Sequence, residues 1–175
     1  MKRGLVLMAL VSLFATVCLP AFAAEKGLTS AEKSFIRDAV SGGAMEVELG
    51  QAAVKNAMSQ DVKDFGQRMV TDHGKANEEL KTLAGKKQVQ VPAELKRKHK
   101  SKVEKLSKLS GEKFDKKYMQ AMVKDHVKDV ADFRKAGKKA KDPELKAWIG
   151  KTLPVLEQHL QQAKEVAQKL GVKTK

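Results

Sequence analysis

Apolar residues recur every third or fourth position in four long stretches of this chain and nowhere alternate with period two, so the pattern predicts helices and no strands. The first stretch opens at Thr29-Ser30-Ala31-Glu32, a capping box in which the threonine hydroxyl accepts from the first turn and the glutamate reaches back. Its stripe steps Phe35, Ala39, Gly43, Glu46, Gly50 and Ala53 toward an end near Met58. Ser59 is an N-cap for the second helix, over roughly residues 60–85, whose seam is Val62, Phe65, Met69, His73, Ala76, Leu80 and Leu83. A third helix is expected from about Glu112 to Ala136, with Phe114, Tyr118, Met122, His126, Val130 and Phe133 on one face and Gly137 as its C-cap. Asp142 followed by Pro143 is an N-cap with proline at the first helical position, and opens a fourth helix. The seam of that helix is Leu145, Ile149, Thr152, Leu156, His159, Ala163, Val166 and Leu170.

Four amphipathic helices bury their stripes most simply against one another, in an all-α four-helix bundle. Between the second and third lies a polar linker, residues 86–92, ending at a proline, and then a short basic helix over 93–109 closed by Gly111. That connection is longer than a hairpin needs and predicts a ferritin-like crossover with a short extra helix in it.

The N-terminal end has a different pattern. Lys2 and Arg3 precede an apolar run from Gly4 to Leu19, then Pro20 and the small-residue site Ala21-Phe22-Ala23. That order is a secretory signal, cleaved after Ala23, so residues 1–23 are read as a signal peptide and 24–175 as one bundle domain that works in the periplasm or is secreted. The run is short for a membrane span and no second one follows. Cleavage removes Cys18, the single cysteine, so disulfides, zinc–cysteine sites and cysteine nucleophiles are excluded from the exported domain. The net charge of +14 falls to +12 with the loss of Lys2 and Arg3. Such a balance favours an anionic envelope surface, lipid head groups or cell-wall polymer, as partner. The basic segment from Glu94 to Lys108 is the place for that contact, though a solvated cover on the bundle is the commoner use of such a helix. It lacks interleaved aromatics, which argues against nucleic acid. His99, in Lys98-His99-Lys100, reads as solvated.

The remaining three of four histidines, His73, His126 and His159, all fall on seams, one on each of the last three long helices. Glu46 is the matching polar residue in the stripe of the first. Each lies near the midpoint of its helix, and midpoints of equal helices share a level whichever way each helix points. Glu46, His73, His126 and His159 are therefore expected in one central layer. Polar groups there lose their water and must find partners. One divalent metal ion would satisfy all four, and the donor set suits Zn, Fe or Mn by ligand type. Copper is the weaker alternative, through Met69 and Met122, one turn before His73 and His126 on the same faces. The competing reading is a metal-free network with Glu46 as anion and one histidine protonated, in a non-catalytic stress or interaction protein. Di-iron bundles use Glu-x-x-His pairs, and none of these three histidines has one, so a mononuclear site is preferred. Asp72 and Asp125 directly precede two of the histidines and flank the layer, either as partners to imidazole or in solvent. No nucleophile with its base, phosphate loop or dinucleotide motif is present, so no catalytic residue is assigned.

The order Glu46-Val47-Glu48-Leu49-Gly50 with Ala53, then Val62-Lys63-Asp64-Phe65 with Met69-Val70-Thr71-Asp72-His73, then Phe114-Asp115-Lys116-Lys117-Tyr118 with His126, then Leu153-Pro154 with His159-Leu160, resembles the DUF4142 family. The resemblance covers essentially everything after the signal. It implies an exported, ferritin-like helical bundle and implies no activity, since the family has none established. The outer-membrane label often attached to the family has no support in this sequence, which lacks the alternating strands of a barrel.

Overall fold

A computed structural model describes residues 27–173; the signal peptide read above lies outside the described residues. Within them the chain forms five helices and no strand: α1 (Ser30–Asn56), α2 (Gln60–Lys86), α3 (Arg97–Ser107), α4 (Gly111–Lys139) and α5 (Pro143–Lys169). None is long and apolar enough to cross a membrane.

The capping box at Thr29 and Glu32 forms as the sequence predicts. Glu32 also does more: its second carboxylate oxygen accepts from the backbone N–H groups of Lys141 and Asp142, tying the start of α1 to the α4–α5 turn. Asp142 caps α5 through Leu145 N–H and pairs with Lys87. Ser59 occupies the N-cap of α2, but its side chain makes no capping bond. The buried carboxylate of Asp115, from α4, accepts instead from the N–H groups of Met58 and Ser59. Gly137 does not end its helix, contrary to expectation. α4 runs on to Lys139, and a Cβ at Gly137 would lie 3.2 Å from Ile149 Cγ2, so the glycine serves the packing of α4 against α5.

Side-chain contacts give the helix directions. Gly43 faces Asn77 and Gly50 faces Gly66, so α1 and α2 are antiparallel. Phe133 meets Trp148 and His126 meets His159, so α4 and α5 are antiparallel as well. Phe65 lies by Tyr118 and His73 by His126, so α2 and α4 run the same way. Parallel neighbours require a crossover, and the segment carrying α3 provides it. This helix lies along α1, with Lys96 paired to Asp38 near one end and Asn56 bonded to the Ser107 carbonyl at the other.

The core is two apolar clusters. One gathers Leu49, Phe65, Met69, Phe114, Tyr118, Met122 and Ala163. The other gathers Ile36, Val40, Leu80, Val130, Phe133, Trp148, Ile149 and Leu156. On α2, α4 and α5 the residue that falls between the two clusters is a histidine.

The stripe expected on α1 is correct from Glu46 onward and out of phase before it. Ile36, Val40, Met45 and Leu49 are the buried positions, whereas Phe35, Ala39 and Gly43 are only half-buried.

Candidate metal centre

His73, His126 and His159 point into the same space. One ring nitrogen from each lies within 4.8 Å of those of the other two, and the ring centroids are 5.2–5.6 Å apart. All three are buried, at 8%, 0% and 1% exposure.

The outer nitrogens decide which inner ones carry lone pairs. His126 Nδ1–H donates to the Met122 carbonyl at 2.9 Å, leaving Nε2 as the inward atom. His159 Nε2–H donates to Asp72 at 2.8 Å, leaving Nδ1 inward. His73 presents Nε2. These inward atoms, His73 Nε2, His126 Nε2 and His159 Nδ1, have no hydrogen-bond partner among the described residues.

Burial holds His73 well below the ordinary imidazole range, with the neighbouring His126 and His159 adding to it. Burial, reinforced by His159, brings His126 down to about 4. His159 is lowered by burial too, opposed by its bond to Asp72. All three are neutral at pH 7, the state in which imidazole binds a metal.

Glu46 is fully buried but is not in the mutually close set formed by the three histidines. Neither of its carboxylate oxygens has a hydrogen-bond partner among the described residues, and the same is true of the Tyr118 hydroxyl. Burial raises Glu46 well above the carboxylate range, with the charges of Asp125 and Asp129 adding to it and Lys102 opposing.

The two flanking aspartates divide. Asp72 reaches across to His159 and is held in place by Arg68, which also bonds Gln158 and Gln162 of α5. Asp125 turns the other way and pairs with Lys102 of α3. His99 is not solvated: it is half-buried, with Nδ1 2.8 Å from the Ser41 hydroxyl. Sequence reasoning missed Arg68 and its two glutamines. The four-residue spacing from Arg68 to Asp72 signals their pairing, but nothing in it points to the helix beyond.

A carboxylate on the far nitrogen of a ligating imidazole is the arrangement by which proteins orient and strengthen metal-binding histidines. The three imidazoles form one buried cluster between the two apolar halves of the bundle. Residues 18–166 match DUF4142, described as a domain of unknown function, and the chain belongs to that family.

Among solved structures, a DUF305 fragment from Deinococcus radiodurans is similar with a TM-score of 0.72 at 13% identity, over 82% of this chain and 99% of that one. CopM in its Cu(I)-bound form matches with a TM-score of 0.67 at 16% identity, over 79% and 96%. Its Cu(II)-bound form gives 0.67 at 17%, over the same shares. At these identities the likeness is one of fold. No curated protein matches the sequence.

Proposed function

We propose that this is an exported envelope protein whose bundle binds one transition-metal ion through His73, His126 and His159. The observation that carries the reading is the convergence of three neutral, buried, unpartnered imidazole nitrogens on one point. An unsatisfied buried polar atom costs about 1–3 kcal/mol, and three aimed at one another offset that cost only when something bonds them together. The metal-free network fares worse. It needs Glu46 as an anion beside a protonated imidazole, whereas burial favours the neutral form of all four groups.

An all-imidazole set suits copper or zinc better than manganese, which favours carboxylate oxygens. Met69 and Met122, buried one turn from His73 and His126, add polarisable sulfur nearby. The copper-bound forms of CopM, a protein of the same fold, support copper as one of the two. Export is supported by the N-terminal pattern of charge, apolar run and small-residue site.

Titration of metal-stripped protein with Cu(I), Cu(II) and Zn(II), read by competition with a chromophoric chelator, tests this reading. One ion per chain is expected, lost in His73→Ala and His126→Ala and retained in Glu46→Gln. Binding that survives either histidine change, or no binding at all, contradicts it.

A further inference from the structure

Where α1 faces α4 the bundle does not close. A groove of about 660 Å³ runs between them, flanked by α3. It is lined from α1 by the first residues of the expected stripe, which the fold leaves half-buried. Phe35, Ala39, Gly42 and Gly43 face this gap from α1, and Phe133, Ala136 and Ala140 face it from α4, so mostly small side chains meet across it. Asn77 takes up the space beside Gly43, while a Cβ at Gly42 would meet nothing within 4 Å. Its lining carries charge of both signs, with Asp38, Asp129 and Asp132 among Lys98, Lys135 and Lys139, and the buried residues it reaches include Met45, Asn77, Thr152, Leu156 and His73.

His73 alone of the triad lines this groove, and at 8% it keeps the most exposure of the three. The groove therefore reaches the histidine layer from one side, at the His73 ring, whose Nε2 is itself buried. Three protein ligands leave a further position on a four-coordinate ion. With three neutral imidazoles and no carboxylate in the close set, a divalent ion there keeps its whole charge in an apolar layer. An incoming donor of negative charge is favoured over a neutral one.

We infer that the α1–α4 groove admits a small anionic donor to the open coordination position of the ion held by His73, His126 and His159. The inference rests on the histidine-bound ion proposed above and adds to it an access route and a ligand class. The site is open to exchange, not a sealed structural centre.

Azide is the probe. The protein is loaded with Cu(II), its metal content is measured, and azide is added while the visible spectrum is followed for the azide-to-copper charge-transfer band. The wild-type chain should develop the band. Gly42→Phe and Ala39→Trp fill the groove from α1, away from every proposed ligand. They should keep the ion and lose the band at the same azide concentration, with thermal melts showing that both still fold. A copper-loaded wild-type chain that does not respond to azide overturns the inference while leaving the metal reading intact, as do groove variants that respond like the wild type. A chain that takes up no copper or zinc overturns the metal reading and this inference with it.

Discussion

Asp72 stands next to His73 in sequence, yet its carboxylate accepts a hydrogen bond from His159 on a different helix, at 2.8 Å. Adjacent residues on a helix project about 100° apart, so an aspartate beside one seam histidine is placed to serve the next helix round the bundle. The bond fixes His159 with Nδ1 inward. Replacing Asp72 by alanine should weaken metal binding by about 10–100-fold, the usual effect of losing such a partner. Chelator competition measures it, and far-ultraviolet circular dichroism should show an unchanged fold. An affinity equal to wild type would detach Asp72 from the site.

The histidine layer also has a pH signature. Burial takes His126 down to about 4 in the folded chain, against an ordinary value of 6.5. Between those values the unfolded chain binds the extra proton and the folded one does not, so stability rises with pH. The contribution of His126 is fully present above about 6.5 and is lost as pH falls toward about 4. His73 and His159 are shifted the same way. Asp129 and Glu46 are shifted upward, chiefly by burial, and work in the opposite sense. Nuclear magnetic resonance of the imidazole nitrogens in metal-free protein separates the groups: His126 should stay neutral until about pH 4. A midpoint near 6.5 would contradict its burial in the layer.

Glu32 holds two helix ends at once. Burial works to raise it, but the Asp142 N–H, the hydroxyl and N–H of Thr29 and the Lys141 N–H outweigh burial and bring it down to about 2. A lowered carboxylate stabilises the fold above its unfolded value, and that stability is lost as pH falls from about 4.5 to about 2. Glu32→Ala leaves the N–H groups of Thr29, Lys141 and Asp142 without their acceptor and should cost about 1–3 kcal/mol. Thermal melts at pH 7 measure the loss, and the difference from wild type should shrink as the pH is lowered toward 2.

The close approach of α1 to α2 depends on paired glycines. A Cβ on Gly66 would lie 2.6 Å from the Ala53 Cβ and 2.9 Å from the Gly50 carbonyl oxygen, neither of which can swing aside. Alanine is the better helix former by about 1 kcal/mol. Overpacking costs about 1–3 kcal/mol, and with rigid neighbours on both sides the upper part of that range applies. Gly66→Ala should therefore lower the melting temperature, whereas Gly74→Ala, with nothing within 4 Å, should not.

How much of this was legible in the sequence follows from periodicity. The seams of α2, α4 and α5, the second half of the α1 seam, the caps at Thr29 and Asp142 and the crossover are all local patterns, and the folded chain keeps them. The meeting of the three histidines was legible for the same reason, since midpoints of equal helices share a level. Glu46 was legible as a buried position but not as lying outside the close histidine set, and the first part of the α1 stripe was misplaced because the buried face shifts phase between Val40 and Met45. Period alone does not locate such a shift. Gly137 and Ser59 carry local signals that tertiary contacts override: the packing of Ile149 against Gly137 and the reach of Asp115 to the start of α2. The groove was written in Ala39, Gly42 and Gly43, but small residues on a stripe read equally as close packing.

The central claim is that three imidazoles converge on one ion, and X-ray absorption at the metal edge of the loaded protein tests it most directly. The account predicts three imidazole nitrogens at about 2.0 Å, with the outer-shell scattering of the rings, and no bound ion in His73→Ala. A first shell with fewer than three imidazoles, or one unchanged in His73→Ala, would contradict it.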